Sequence, residues 1–489
     1  MLSILLILCV LIWLPILLYY LTDKSFTVLL AWLFIAPIAL NFINDPKHNP
    51  FFTPEVELDY SEQRLLERAQ EEARRGGLRK AYMTDEASIR MDELLVPTRL
   101  LLLAFILVLL LDRYYKKTPL EPFNKTEKLM MVFSIFLMIN IVLLSSRMVN
   151  SVKVAMDIFF IPFMAYYVTR RFVKSEARLQ QFTKVFIAFG LMLIVIAMIE
   201  RASHSELLYR LRGPFPQRNH FYMVLMAVFF MTLLHTVRYH RERSKPLTFH
   251  ALCCWVVLGV TPIIIVGTWT RSNWLGFFAA IWVSLFFARR FITRGRKMVM
   301  IGLLLLLIPL LVIAFQAAIP DEAIDSRIAN ENTIYARIGA WIVQVEAGVK
   351  HPILGIGFNN VRELLLTNRI YFKGVRSLVS SHNCFLALFV ELGIVGLSLY
   401  VALMGSIIRA GVRQFHRPVR REDRWLGIVS VAILVGYLVP GLTSVILYSP
   451  HVSHVYVYTC LGALAGVAGT TRVPVVRTRM HDPDQIPAR

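Results

Sequence analysis

Charged residues are scarce in this chain. They make up 17% of its 489 residues, whereas 56% of the residues are hydrophobic. A soluble protein of this length needs far more polar surface. Many windows of about 17–25 apolar residues occur instead, and each is long enough to cross a bilayer. The composition therefore predicts an all-α polytopic membrane protein and excludes one soluble domain with a single anchor.

Cysteine is scarce as well. The chain contains five cysteines, all in apolar segments: Cys9, Cys253, Cys254, Cys384 and Cys460. None of their spacings is typical of metal ligands, and nothing in them suggests a disulfide framework. We therefore interpret these cysteines as small buried hydrophobic side chains.

Basic residues outnumber acidic ones, and the formal net charge is +21. Such a charge is typical of nucleic-acid-binding proteins, but no aromatic–basic module accompanies it here. Arg and Lys instead cluster in short loops between apolar segments, within 113–117, 170–178, 238–245, 289–297 and 409–424. This is the positive-inside pattern of membrane proteins, so we expect a lipid bilayer and no nucleic acid among the partners.

The apolar runs predict about 12–13 transmembrane helices and one large outer loop. The predicted spans are 2–21, 25–43, 97–112, 128–146, 152–168, 183–199, 220–237, 249–267, 273–288, 298–316, 383–408, 425–445 and 453–469. When the basic loops are placed in the cytoplasm, an even number of crossings separates each from the next. The loop 317–382 then falls on the opposite side of the membrane.

These spans divide the chain into six regions. They are an N-terminal transmembrane hairpin (1–43), a polar extramembrane insertion (44–96), a transmembrane core (97–316), the large loop (317–382), three C-terminal spans (383–469) and a cytoplasmic tail (470–489). The first two spans also fit a re-entrant pair. In the large loop, apolar residues at helical spacing predict an amphipathic helix near 333–349, which could lie on the membrane and cover a cavity.

Several arginines lie in the outer connections, where the positive-inside rule predicts few. Arg212 and Arg218 precede one span, Arg271 separates two spans, and Arg337 lies in the large loop. Snorkelling toward lipid headgroups explains single residues of this kind. Several arginines that converge on one place are also suited to bind the oxygens of one anion through paired hydrogen bonds. A diphosphate on a lipid carrier would fit, because its apolar tail would lie among the spans.

A polar step, Ser381-His382-Asn383, runs directly into an apolar segment that contains Glu391. Ionisable groups at such depth are costly, so His382 and Glu391 are functional candidates. The unperturbed pKa of histidine suits a proton acceptor near neutral pH. The alternatives are an interfacial residue for His382 and a role in helix packing for Glu391.

These residues belong to an ordered series of motifs over roughly residues 200–400, in which the chain resembles the O-antigen ligase and polymerase family of bacterial membrane glycan transferases. The motifs are Arg212-Gly213-Pro214-Phe215 with Asn219, Thr270-Arg271-Ser272, Arg337 with Trp341, Pro-Ile-Leu-Gly-Ile-Gly at 352–357, and Ser381-His382-Asn383 followed by Glu391, Gly393 and Gly396. The insertion 44–96 departs from the family pattern.

The resemblance implies a multi-pass protein of the bacterial inner membrane with its active site facing the periplasm. It implies transfer of glycan from an undecaprenyl-diphosphate donor to an acceptor hydroxyl, by an inverting displacement without metal or cofactor. The acceptor is a glycan, lipid A–core or another hydroxyl compound, so ligase, polymerase and exopolysaccharide enzyme stay open. A membrane transporter of a small anion or lipid-linked substrate is the alternative function.

The resemblance also suggests roles for individual residues. We expect Arg212 and Arg271 to neutralise the diphosphate and His382 to accept the proton of the attacking hydroxyl. The residues expected to bind or orient substrate are Arg218, Asn219, Arg337, Asn383 and Glu391. Arg218 also fits an interfacial anchor, and Glu391 also fits helix packing.

Overall fold

A computed structural model describes residues 122–204, 209–215, 217–239, 248–289, 331–378, 380–418, 420–444, 446 and 453–470. The helices in these ranges are α1 (Lys125–Leu144), α2 (Met148–Phe172), α3 (Glu176–Ala202), α4 (Arg218–Tyr239), α5 (Phe249–Gly267), α6 (Arg271–Ala288), α7 (Glu331–Lys350), α8 (Val361–Thr367), α9 (Cys384–His416), α10 (Arg424–Leu438) and α11 (Ser453–Thr470). Two short strands, β1 (Tyr371–Phe372) and β2 (Val375–Arg376), form an antiparallel hairpin.

Polar residues start several of the apolar helices. The side chains of Asn124, Ser175 and Thr248 precede α1, α3 and α5, and each accepts a hydrogen bond from a backbone N–H of the first turn. Beyond these caps, an α-helix pairs its own backbone groups, which is what an apolar segment in a bilayer requires.

Seven described helices are long and apolar enough to cross a membrane: α1 to α5, α9, and Arg421–Leu442, which includes α10. Helices α6 and α11 have 18 residues each and lie where spans were predicted at 273–288 and 453–469. The prediction of an all-α polytopic membrane protein is confirmed. The predicted spans 2–21, 25–43, 97–112 and 298–316, and the insertion 44–96, lie outside the described residues.

Ion pairs join the helix ends on one side of the bundle. The buried Arg238 guanidinium contacts carboxylate oxygens of Glu176 at 2.6 Å and of Asp423 at 2.8 Å, which links α4, α3 and the start of α10. Glu127 and Arg170 form a second pair at 2.6 Å between α1 and α2. We call this side the basic end; its described residues are 122–127, 170–178, 235–239, 248–250, 416–418 and 420–424. The positive-inside rule predicts that it faces the cytoplasm.

Hydrogen bonds join the connections on the opposite side. The backbone N–H of Leu211 donates to the carbonyl of Gly267 at 3.0 Å. The Ser145 hydroxyl donates to the carbonyl of Phe358 at 3.1 Å, which brings the connection after α1 against the large loop. We call this side the loop end; its described residues are 145–151, 203–204, 209–215, 217, 268–273, 351–378 and 380–383.

Helix α9 is interrupted at Gly393, where the backbone φ is 65°. The segment 352–357 packs into this interruption, and the N–H of Gly357 donates to the carbonyl of Glu391 at 3.0 Å. A Cβ atom at Gly355, whose φ is 75°, would collide with the backbone of Glu391. The glycine-rich motif therefore supplies hydrogen bonds to a helix that cannot pair all its own backbone groups at the break.

Candidate functional site

The loop that carries Arg212 is held by one buried carboxylate. Glu200, in the last turn of α3, is 5% exposed. Its oxygens accept from the backbone N–H of Arg212 at 3.1 Å, from the N–H of Gly213 at 2.8 Å and from the hydroxyl of Tyr209 at 3.1 Å. Gly213 has a φ of 58°, which glycine adopts readily. Glu200 thus determines where the Arg212 backbone lies.

Arg212 and Arg271 extend from one junction of the loop end. Leu211, the residue before Arg212, is hydrogen-bonded to Gly267, the last residue of α5. Arg271 begins α6 a few residues after that bond. This backbone contact therefore holds the loop that carries Arg212 against the end of α5, four residues before Arg271 in sequence.

The turn between α5 and α6 directs Arg271. Trp269 has a left-handed φ of 50°, which is uncommon for a bulky residue. The indole N–H of Trp274 lies 3.2 Å from the carbonyl oxygens of Ile265 and Val266, so it helps to satisfy the end of α5. Arg271 lies at the N-terminus of α6, where backbone N–H groups and the helix dipole favour an anion.

His382 is held in an unusual backbone conformation. Its φ is 48°, a left-handed value. The indole N–H of Trp341, on α7, donates to the carbonyl of Ser381 at 2.7 Å, and the Ser381 hydroxyl donates to Oε1 of Gln344 at 2.7 Å. Helix α7 lies where the amphipathic helix was predicted. Strained residues persist where the surrounding contacts hold them, and such residues cluster at functional sites.

Asn383 serves as the N-cap of α9. Its Oδ1 atom accepts from the backbone N–H groups of Phe385 at 3.1 Å and Leu386 at 3.0 Å. This position also fixes the peptide that links Asn383 to His382. The contact is structural, and it positions the imidazole.

Arg271 acts electrostatically on Arg337, and Arg337 acts on His382. Burial, together with the charge of Arg271, lowers the pKa of Arg337 from its ordinary value. Burial, together with the charge of Arg337, lowers the pKa of His382 to about 4. Both causes disfavour a protonated group. A pKa this low favours the neutral imidazole near pH 7, with the charge of Arg337 acting on it.

Glu391 contacts the large loop. Glu391 is only 2% exposed, and its Oε1 atom accepts a hydrogen bond from the backbone N–H of Val361 at 3.0 Å. Val361 begins α8, so the carboxylate lies at a helix N-terminus, where its charge is favourable. Together with the packing of 352–357 against α9, this contact supports the structural alternative for Glu391.

Two amides at the loop end lack partners within the described part of the chain. Asn273 is 0% exposed, and neither atom of its amide has a hydrogen-bond partner there; the same holds for Oδ1 of Asn219. One turn further along their helices, Gly276 packs against the hydroxyl of Tyr222. The amides therefore lie at facing positions of α6 and α4. Buried polar groups are normally satisfied, so this pair calls for an explanation.

Neither Glu200 nor Asn273 is among the functional residues predicted from the sequence. Glu200 follows directly on the predicted span 183–199, and a carboxylate at the end of an apolar run is a signal that could have found it. Asn273 follows Arg271 closely, but nothing local shows that its amide is buried. The arginines of this site form a cationic group, which suits an anion and repels a metal cation.

These features define the class: a multi-pass helical membrane protein with a cationic polar site at one end of its bundle. The family model for O-antigen ligase matches residues 252–401, the segment that contains Arg271, Arg337 and His382. The resemblance to the O-antigen ligase and polymerase family is thereby confirmed. A search of curated proteins gave no match. The family supports glycan transfer of the O-antigen ligase type in general and a bacterial membrane location.

Proposed function

We propose that the protein transfers glycan from an undecaprenyl-diphosphate donor to an acceptor hydroxyl at the periplasmic face of the bacterial inner membrane. The observation that carries this proposal is a buried His382, held at a left-handed φ, on which the charge of Arg337 acts, while the charge of Arg271 acts on Arg337. A cationic group that binds a leaving diphosphate, next to an uncharged base, is what displacement of a lipid diphosphate by a hydroxyl requires.

The diphosphate of the donor binds at the junction of the loop end. Arg212 and Arg271 extend from that junction, and the N-terminus of α6 adds backbone N–H groups. Arg337 contributes a third positive charge. The apolar tail of the donor then lies along the lipid-facing helices, and the glycan projects toward the large loop.

The reaction is a single displacement. The acceptor oxygen attacks the anomeric carbon of the donor from the face opposite the diphosphate, and His382 takes the hydroxyl proton. The bond between the anomeric carbon and the diphosphate oxygen breaks, and the electron pair leaves with undecaprenyl diphosphate. Because the attack comes from the opposite face, the configuration at the anomeric carbon inverts. The arginines stabilise the charge that develops on the leaving group, a role that needs no metal.

Donor binding also activates the base. A histidine whose pKa is about 4 is a weak base. The donor brings negative charge to Arg337 and Arg271, and this charge offsets the electrostatic cause of the low pKa. The pKa of His382 therefore rises when donor is bound, so His382 is a stronger base in the complex than in the free enzyme.

The other polar residues bind or position. Asn219 and Asn273 offer buried amide groups to the hydroxyls of the first sugar, and Arg218 precedes Asn219 on α4. Asn383 positions His382 as the cap of α9. Glu391 supports the large loop through α8.

Transfer by the purified full-length protein in lipid bilayers tests the proposal. The donor is a synthetic lipid-diphosphate oligosaccharide, and the acceptors are lipid A–core and a second lipid-linked glycan, which separate ligase from polymerase. His382→Ala and Arg271→Ala are each expected to lower turnover by about 100-fold or more. His351→Ala and Arg362→Ala, at exposed positions of the large loop, serve as matched controls.

Near-normal transfer by both active-site variants would overturn the proposed site. Uptake of a small anion into proteoliposomes, with no glycan transfer to any acceptor, would favour the transporter instead. The side of the membrane is tested with Tyr371→Cys in a cysteine-free background, because Tyr371 is 69% exposed. A membrane-impermeant reagent is expected to reach this position from the periplasm.

A further inference from the structure

Two histidines and a cysteine meet at the basic end, away from the proposed glycan-transfer site. His235 lies near the end of α4, and His250 and Cys254 lie in the first part of α5. A spacing of four residues puts His250 and Cys254 on one face of the helix. The potential ligand atoms of these three residues all lie within 4.8 Å of one another.

The hydrogen bonds around His235 direct its ring. The hydroxyl of Thr183 donates its proton to the carbonyl of Gln180 at 2.9 Å, so it accepts from Nδ1 of His235 at 2.6 Å. The proton of the neutral ring is thereby placed on Nδ1, and Nε2 keeps its lone pair. This Nε2 faces Nε2 of His250 at 2.9 Å. A hydrogen bond that fixes the tautomer of a histidine is typical of metal-binding imidazoles.

The three residues differ in burial in a way that suits an ion. Cys254 is 0% exposed and His235 is 1% exposed, whereas His250 is only partly buried. Two ligands are therefore shielded from water, and the third lies at the edge where an ion could enter. Imidazole nitrogen and thiolate sulfur are the donors that zinc prefers in proteins.

We propose that His235, His250 and Cys254 bind one Zn²⁺ ion at the basic end, with water in the fourth position. Binding forms two Zn–N bonds and one Zn–S bond, and the thiol proton of Cys254 is released to solvent. A tetrahedral ion with Zn–N bonds of about 2.0–2.1 Å needs the two Nε2 atoms somewhat further apart than they lie, which small side-chain rotations provide. The ion would cross-link α4 and α5 beside α3. This proposal does not rest on the proposed glycan transfer.

Metal binding to the tag-free, full-length protein tests the site. Metal-free protein is titrated with Co²⁺ as a spectroscopic probe for zinc, and the zinc content is measured by mass spectrometry after one equivalent of Zn²⁺ is added. We expect one ion per chain and a thiolate-to-cobalt charge-transfer band. Cys254→Ser is expected to lose the band, whereas Cys253→Ser, the neighbouring cysteine, is expected to keep it.

The hydrogen bond between Thr183 and His235 allows a milder test, in which zinc binding is weakened and not abolished. Thr183→Val removes the group that orients His235, and a loss of about 10–100-fold in zinc affinity is expected. If the ligand variants fail to fold, X-ray absorption at the zinc edge of the unaltered protein still decides, because one Zn–S distance of about 2.3 Å is required. The proposal would be overturned if the protein bound less than one equivalent of Zn²⁺, if it bound Cu⁺ alone, or if Cys254→Ser bound Zn²⁺ as well as the unaltered protein. The two histidines would then form only a hydrogen-bonded pair.

Discussion

Replacing Arg337 with methionine removes the positive charge beside His382 and keeps a side chain of similar length. Burial is the larger cause of the low pKa of His382, and the charge of Arg337 is the smaller one. The whole lowering, from 6.5 to about 4, corresponds to about 3 kcal/mol. As the smaller of two causes, Arg337 accounts for less than half of this lowering, so its loss should raise the pKa by at most about one pH unit.

The pH dependence of glycan transfer measures this change. In the unaltered protein, kcat/KM reports the free enzyme and should fall below a midpoint near 4, the pKa of His382. In Arg337→Met the midpoint should rise but stay below 6.5, because burial persists. Arg337→Lys keeps the charge and should resemble the unaltered protein. The midpoint for kcat should lie higher than that for kcat/KM, since bound donor raises the pKa.

The imidazole of His382 also makes the stability of the protein depend on pH. The folded pKa of His382 lies below its ordinary value of 6.5, so its contribution is fully present above pH 6.5 and is lost as the pH falls toward 4. Arg337→Met should make this loss smaller. A kcat/KM midpoint near 6.5 in the unaltered protein, or one unmoved by Arg337→Met, would refute the reasoning.

Three further predictions concern the supports of the site. Glu200→Gln keeps the shape of the side chain, but an NH2 group replaces one accepting oxygen and the negative charge is lost. The kcat/KM for donor should therefore fall by about 10-fold while the protein stays folded. Asn273→Leu replaces the buried amide, which has no hydrogen-bond partner among the described residues, with an apolar group of similar shape. The apparent melting temperature should therefore stay the same or rise, whereas the KM for donor should rise by about 10-fold. Gly393→Ala places a Cβ against the carbonyl of Ile353 at a φ of 65°, and the free energy of unfolding should drop by at least about 1–2 kcal/mol. Gly405→Ala, in the same helix with open space at its Cβ, should change it by less than about 1 kcal/mol and in the opposite direction.

Each of these predictions has a contrary outcome. Full donor kcat/KM in Glu200→Gln would mean that the Arg212 loop does not depend on that carboxylate. A lowered melting temperature with an unchanged donor KM in Asn273→Leu would assign its amide to structure. Equal unfolding free energies for Gly393→Ala and Gly405→Ala would contradict the packing of 352–357 against α9.

The membrane helices could be predicted because their signal is local. The predicted span 249–267 coincides with α5, since about 19 consecutive apolar residues have no alternative to burial or a bilayer. The amphipathic helix near 333–349 was found in the same way, from spacing. Neither inference needed to know which helix packs on which.

The site residues stay a prediction. The sequence motifs group Arg271, Arg337 and His382, and in the structure the charge of Arg271 acts on Arg337 and the charge of Arg337 acts on His382. The same motifs also contain residues that hold the fold: Gly393 and Glu391 dock the large loop on α9, which the sequence left open as an alternative. Residue type and order do not distinguish contact with a substrate from contact with a neighbouring segment.

The sequence by itself determined the class of protein, the positions of the spans among the described residues and the side on which the basic loops are expected, because hydropathy and charge act over short windows. The tertiary structure decided which groups meet. Glu200 accepts from the Arg212 loop, Asn273 is buried opposite α4, and Cys254 lies near a histidine from another helix. Such meetings depend on packing between distant segments, and no local spacing encodes the distance between two helices.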